Sequence, residues 1–388
     1  MARILLKRGR ANPLWHGHPW VYSGAVERED GAAAPGDVVD VCDHEGRLIG
    51  RGFHNARSQI RVRMATWKEE PVDAAWVGRR IDEATRLRTR LGLPSDKTTA
   101  YRLVNSEGDA LPGLVVDVYG DVAAVQFTAL GMKRLEEHVF EKLSTMFRGV
   151  LEVAAGHFAE VEGFTSGHRV VRGEAPALIP CRENGIALEV DPFHGQKTGM
   201  FLDQRENRRR VGEYAKGARV LDLYTYAGGF ALAALAGGAA TATCVDSSAR
   251  ALERARHHAD MNKLGPLDVV EADAFRFLEA AKPRSYDLVI VDPPKFARAK
   301  KDLVAALKGY ERLNALALNA CAPDSLLVSC SCSQAIAGET FEKALSTAAR
   351  DAGRRVAVLE IWGQAADHPI PPAFFEGRYL TTALLRVV

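Results

Sequence analysis

The chain lacks any apolar run approaching the ~20 residues a helix needs to cross a bilayer, so a helical membrane protein is excluded. Its opening, Met1 to Arg10, lacks the apolar core of a secretory signal, and the expected location is the cytoplasm. Cysteine is sparse: Cys42, Cys181, Cys244, Cys321, Cys330 and Cys332 are the six in 388 residues. No CxxC pair and no Cys/His zinc spacing occurs, which argues against a disulfide scaffold and leaves no metal expected. Charge of one sign is also missing. With 51 Lys and Arg against 49 Asp and Glu, the net charge is +2, so a polyanionic partner would have to meet a local patch. There is no internal repeat and no dinucleotide fingerprint G-x-G-x-x-G.

What is present is an ordinary globular composition, 47% hydrophobic and 26% charged, long enough for two or three domains. Residues 1–68 read as β-rich: Val38–Val41, Leu48–Phe53 and Gln59–Met64 are short runs between turn residues. In the last of these, Arg61 and Arg63 alternate with Ile60, Val62 and Met64. With Lys7, Arg8, Arg10, Arg51 and Arg57 they form either a basic face or a solvated surface. Residues 69–175 read as α+β, with amphipathic helices expected over 74–91 and 132–147. From 176 to 388 strands and helices alternate, which implies a doubly wound, mostly parallel sheet.

In that last part, acids end successive strands. Val220–Tyr224 carries Asp222 and Tyr224 ahead of a Gly228-Gly229 turn; Thr241–Val245 ends at Asp246, and Leu267–Val270 is followed by Asp273. A glycine turn lets a ligand approach backbone N–H groups at a helix start. An acid after the second strand can grip a ribose diol. The pattern suits an adenosine-type cofactor, although each acid alone would serve as a helix cap. A further buried strand, Leu288–Val291, stops at Asp292-Pro293-Pro294-Lys295-Phe296. The prolines cannot continue a ladder, so Asp292 is left at a strand's carboxyl end, where open α/β sheets place their crevice. An acid and a flat ring on a rigid loop suit a planar base.

Two resemblances follow. Leu6-Lys7-Arg8-Gly9-Arg10 with Gly17-His18-Pro19-Trp20-Val21-Tyr22 resembles the start of a PUA-type RNA-binding domain. Val220–Phe230, Val245-Asp246-Ser247-Ser248, Asp273-Ala274-Phe275, Asp292–Phe296 and Ser331-Cys332-Ser333 resemble, in order, the motifs of class I S-adenosylmethionine-dependent methyltransferases. More narrowly the chain is similar to the bacterial ribosomal RNA large subunit methyltransferase I family, most specifically over Gly195–Arg208. The resemblance implies a PUA domain, a central α+β domain and a Rossmann-like methyltransferase domain. It implies S-adenosyl-L-methionine as cofactor, cytosine C5 of 23S ribosomal RNA as target, and a homodimer. On these motifs the cofactor contacts would be Asp222, Tyr224, Gly228, Asp246, Ser247, Asp273, Ala274 and Asp292. Lys295, Phe296, Lys197 and Arg205 would meet substrate or, together with Asn207, shape the cofactor or RNA crevice, while Arg208-Arg209-Arg210 could be a solvated helix face.

Cytosine C5 is a poor nucleophile, and a thiolate adding to C6 makes it enamine-like. Cys332, just past the strand Leu326–Cys330, matches the family's nucleophile motif; Cys330, in Ser329-Cys330-Ser331, duplicates it locally and stays open. Asp292 could hold or protonate the N3/N4 edge of the base and Phe296 could stack on it. Lys295 meets a phosphate, the base carbonyl or water. No cysteine stands directly after Pro293, near where other RNA cytosine-C5 enzymes carry a second one to assist release. Competing readings are methylation of another RNA base and a non-catalytic RNA-binding assembly factor.

Overall fold

The computed structural model describes residues 1–296 and 303–388. The chain folds into two compact units. Residues 1–185, 189–202 and 366–377 form the first; residues 186–188, 203–365 and 378–388 form the second.

The first unit begins with a six-stranded sheet of β1 (Arg3–Leu6), β2 (Trp20–Tyr22), β3 (Val26–Asp30), β4 (Val38–Cys42), β5 (Leu48–His54) and β6 (Ile60–Thr66), with helix α1 (Asn12–Trp15) between β1 and β2. The strand order is β2-β6-β5-β4-β1-β3. Ile4, Leu6, Val39, Val41, Val62 and Met64 fill its interior. Three of the seven residues of the suggested basic face lie beside acids, while Lys7, Arg8, Arg10 and Arg57 are exposed. Arg51 pairs with Asp40 at 2.9 Å, Arg61 lies 3.6 Å from Glu29, and Arg63 lies 3.0 Å from Glu107 and 3.5 Å from Glu162.

A second sheet, in the order β11-β10-β9-β8-β7, follows helix α2 (Ala74–Arg90). Its strands are β7 (Ala100–Asn105), β8 (Leu114–Tyr119), β9 (Val122–Phe127), β10 (Gly149–Glu152) and β11 (Arg169–Gly173). The helix expected over 132–147 is instead two, α3 (Leu130–Lys133) and α4 (Glu136–Ser144), with α5 (His157–Glu162) beyond. Phe53 and Ala65 of the first sheet share one core with Trp76, Ile81, Phe127 and Phe140. The division at residue 68 thus separates two architectures but not two cores. Two distant segments are tied into this unit by polar groups. Thr198 donates to Asp117 at 2.5 Å, the Met200 N–H donates to the Tyr119 hydroxyl, and Arg88 donates to both Asp109 and the Asp367 carbonyl. A two-stranded ladder pairs β12 (Ile179–Glu183) with β13 (Ile186–Val190).

The second unit opens with α6 (Arg205–Tyr214) and is built on a seven-stranded sheet. In chain order it contains β14 (Arg219–Leu223), α7 (Gly229–Ala236), β15 (Thr241–Asp246), α8 (Ala249–Asn262), β16 (Leu267–Glu271), α9 (Ala274–Ala280) and β17 (Tyr286–Val291). Then come α10 (Leu303–Ala320), β18 (Cys321–Ser331), α11 (Glu339–Asp351), β19 (Val356–Trp362) and β20 (Thr381–Val387). The order is β16-β15-β14-β17-β18-β20-β19; the first five are parallel, and β20 runs antiparallel to both neighbours. This is a doubly wound sheet whose growth reverses between β14 and β17, and ligands bind at such a reversal, outside the carboxyl ends of the strands. Alternate residues serve the two faces. Leu221, Leu223, Val289, Val291 and Leu327 pack with residues of α10 and α11, whereas Val220, Leu288, Ile290, Val328 and Cys330 pack with Val211 and Phe230 of α6 and α7. β18 starts earlier than the expected Leu326, because the helix before it ends at Ala320.

Candidate active site

Residues 224–229 follow β14 directly. Tyr224 and Tyr226 have φ of 60° and 51°, and Gly228 has φ of 84°. Two left-handed tyrosines in six residues are costly, and such backbone persists only where its surroundings over-determine it. Here Asp222 does so. It is wholly buried, and its Oδ2 accepts from the Thr225 hydroxyl at 2.5 Å and from the Ala231 N–H at 3.0 Å. Burial, reinforced by the charges of Asp292 and Asp246, raises its carboxyl from the ordinary 3.8 to about 7. Asp222 therefore shapes the loop from beneath through Oδ2. Gly228 caps α7, and a Cβ there would stand 2.9 Å from that of Ala255 in α8. No other residue fits without displacing a helix.

Asp246 ends β15 beside this loop, half-buried, accepting from the Tyr226 N–H at 2.9 Å and from the Ser248 N–H at 2.9 Å. Ser247 is exposed, and Ser248 caps α8 through the Ala251 N–H. Asp273 is exposed and caps α9 by accepting from the Arg276 N–H at 3.1 Å, with Ala274 buried behind it. The capping role considered for these acids is thus real for Asp273, and it leaves that carboxylate with acceptor capacity to spare. Burial holds the Tyr224 phenol well above its ordinary value, Asp273 and Asp246 adding to the effect.

The acid–proline loop leaves β17 one strand away. Asp292 is half-buried and accepts from Gln204 Nε2 at 3.0 Å. Lys295 is exposed. The Phe296 ring lies 4.8 Å from that of Tyr310 and 6.4 Å from that of Phe275, over Gly309. Much of the ring is thus spent on α10 and α9, and only its remaining surface is left for stacking. The two cysteines differ sharply. Cys330 is 0% exposed, within the β18–β20 ladder, and receives the Thr382 hydroxyl at 3.4 Å; burial drives its thiol far above the ordinary value. Cys332 lies one residue past the end of β18, partly exposed, with its sulfur 3.7 Å from the Pro293 carbonyl. That contact joins the cysteine turn to the acid–proline loop.

Lys197 belongs to the first unit, where its Nζ lies 4.4 Å over the Phe201 ring. Arg205 and Arg208 are 3% and 5% exposed, so the solvated face suggested for residues 208–210 is wrong for Arg208. Arg209, paired with Glu206 and Glu213, is the solvated one. A Cβ on Gly229 would stand 2.8 Å from Arg208 Cδ, so that arginine underlies the start of α7. Gln204 and Thr382, which flank Asp292 and Cys330, had no signal in the sequence beyond lying within or near family-like stretches, whereas Asn207, expected to shape the crevice, donates to both of them.

Comparison with known proteins agrees with this arrangement. Residues 165–369 match the S-adenosylmethionine-dependent methyltransferase family and residues 4–67 the PUA-like domain. The chain is 38% identical to the ribosomal RNA large subunit methyltransferase I of Salmonella arizonae over 100% of its own length and 98% of the relative's. It is 36% identical to the protein of the same name from Escherichia coli O139:H28, covering 100% and 99%. In fold it is similar to SMU.776, assigned as a methyltransferase and complexed with SAH, with a TM-score of 0.86, 23% identity and full coverage of both chains.

Proposed function

The chain belongs to the ribosomal RNA large subunit methyltransferase I family of S-adenosylmethionine-dependent methyltransferases, and from that premise we propose that it forms 5-methylcytosine in 23S ribosomal RNA through a bond between Cys332 and cytosine C6. The cofactor's sulfonium supplies the methyl group. The residues present fit the cofactor: a loop with Tyr224, Tyr226 and Gly228 at positive φ presents backbone N–H groups at the sheet reversal, as a nest for a polar ligand would. Asp246 keeps lone pairs beyond its two N–H bonds for a ribose diol, Asp273 can accept from an exocyclic amine, and the Ala274 N–H lies at the start of α9.

The target base must leave its helical stack to reach such a crevice. The Cys332 thiolate then bonds to C6, and the electron pair released into the ring makes C5 nucleophilic. C5 takes the methyl group; loss of its proton to a base and departure of the sulfur restore the aromatic ring. Asp292 holds the amino edge of the base, and Lys295 reaches its carbonyl or a phosphate. RNA is first engaged by the PUA-like domain, and a homodimer forms part of the proposal. The observation that carries the reading is the contrast between the cysteines: one lies sealed in the sheet, the other is accessible at a strand end, within 3.7 Å of the acid–proline loop. Cys332→Ala is expected to abolish methyl transfer from labelled cofactor to ribosomal RNA while calorimetric cofactor binding persists. Full activity in that variant would contradict the thiol route and favour transfer to another atom.

A further inference from the structure

Asp292 is held by a side chain from far away in the sequence, and that side chain is itself held. Gln204 Nε2 donates to Asp292 Oδ2 at 3.0 Å, and Gln204 Oε1 accepts from Asn207 Nδ2 at 2.6 Å. Asn207 Nδ2 also donates to the Thr382 hydroxyl oxygen at 3.3 Å, and that hydroxyl donates to the Cys330 sulfur at 3.4 Å. Gln204, Asn207 and Thr382 are 3%, 1% and 0% exposed. Water therefore does not compete, and a satisfied buried chain of this kind fixes each member's orientation. The direction of the chain is set at both ends. A carboxylate can only accept, so the glutamine must offer it nitrogen; the glutamine's oxygen then needs a donor, which the asparagine amide supplies.

Most of this relay is not needed to build the sheet. A leucine at 204 and a leucine at 207 would fill the same interior, and three polar groups buried together are retained at a cost unless each is paired. We propose that Gln204, locked by Asn207 and Thr382, is a positioning residue that aims Asp292 at the substrate base and keeps it ionised. The inference rests on the reading that Asp292 holds the base. A hydrogen bond donated to a carboxylate favours its charged form over its protonated one. The charge of Asp292 is in turn felt by Asp222 on β14, Cys330 on β18 and Tyr310 on α10, where it adds to burial in holding each of them protonated. It also explains Cys330, whose sulfur serves as the terminal acceptor of the chain and not as a nucleophile.

The test compares Gln204→Leu, Gln204→Glu and Asp292→Asn by single-turnover methyl transfer to ribosomal RNA across pH 5.5–8.5, with thermal melting and calorimetric cofactor binding as controls on folding. Gln204→Leu should lower the methyl-transfer rate about 10- to 100-fold, the range for losing a hydrogen bond to a charged group, and its activity should fall off at a higher pH on acidification than that of the unaltered protein. Gln204→Glu is the decisive variant. Its carboxylate repels Asp292 at neutral pH, but once protonated it is a near-isostere of glutamine that can donate to Asp292 and accept from Asn207. Its rate relative to Gln204→Leu should therefore rise as pH falls, which a packing role would not produce. Titration of Asp222 in the same range is common to the two Gln204 variants and drops out of that ratio. Folded Gln204→Leu with the unaltered rate and pH profile, or a Gln204→Glu to Gln204→Leu ratio flat in pH, overturns the relay. Asp292→Asn at full rate would instead overturn the assignment of Asp292 on which the relay rests.

Discussion

The loops after β14 and β17 leave adjacent strands at the same reversal of the sheet, yet they are held by different means. The first is secured mainly from within its own neighbourhood, where Asp222, Thr225 and Ala231 lie within ten residues, with Asp246 on the next strand adding one bond from the Tyr226 N–H. The second is held from outside, by Gln204 near the start of the unit and by Tyr310 on the helix beyond, while Cys332 meets its Pro293 carbonyl from the next strand. A site that binds one unchanging cofactor can be self-contained. On the proposed mechanism, a site that places an acid and a thiol against an RNA base draws its parts from several elements, and its geometry depends on their packing.

That contrast can be broken at several points. The largest effect is expected at Asp222. Because its folded-state value is raised from 3.8 to about 7, the protonated form is the one the fold favours; its contribution is fully present below about pH 4 and is lost as pH rises through 7. Up to roughly 4 kcal/mol of stability should disappear across that window in the unaltered chain, and Asp222→Asn, which keeps an acceptor for Thr225 and Ala231, should flatten the dependence. Denaturant titrations at pH 4.5 and 7.5 check this; equal slopes in both proteins would contradict it. Next, Gly228→Ala combines φ of 84° with a Cβ contact of 2.9 Å and should cost about 2–3 kcal/mol, read as a lowered melting temperature together with weaker cofactor binding. Asp246→Ala should weaken cofactor binding about 10- to 50-fold, or ~1.4–2.3 kcal/mol, with little change in RNA affinity. Smallest is Gly309→Ala, whose Cβ would stand 3.1 Å from Phe296 Cδ2. A shift of a few tenths of an ångström should cost less than about 1 kcal/mol and raise the KM for RNA a few-fold, leaving cofactor affinity unchanged.

The same contrast explains what could be read from the sequence. The loop after β14 was legible because its determinants are contiguous: strand, acid, glycine turn and small-residue helix follow one another, and the acids at 246 and 273 recur at strand ends. The sheet and the first six-stranded fold were legible for a similar reason, through alternation and turn residues. What stayed hidden is what only packing determines. Nothing local says that Asp222 is sealed, that Phe296 leans on Tyr310, that Arg208 lies under α7, or that Arg51 and Arg63 are cancelled by Asp40 and Glu107. The duplication Ser329-Cys330-Ser331-Cys332-Ser333 looked symmetrical in sequence, and a period of two would put both thiols on one face. The ladder ends at Ser331, between them, and that single residue decides which sulfur can be reached.

The central claim is that Cys332 bonds to C6 of a cytosine on the way to methylation at C5. Its most direct test is to incubate the protein and S-adenosylmethionine with ribosomal RNA in which cytidine is replaced by 5-fluorocytidine, and to run the mixture on a denaturing gel. Fluorine at C5 cannot be lost as a proton, so an adduct formed at C6 is trapped. The account predicts a slow-migrating protein–RNA band that Cys330→Ala retains and Cys332→Ala abolishes. A band that survives in Cys332→Ala, or one that vanishes only in Cys330→Ala, would contradict it.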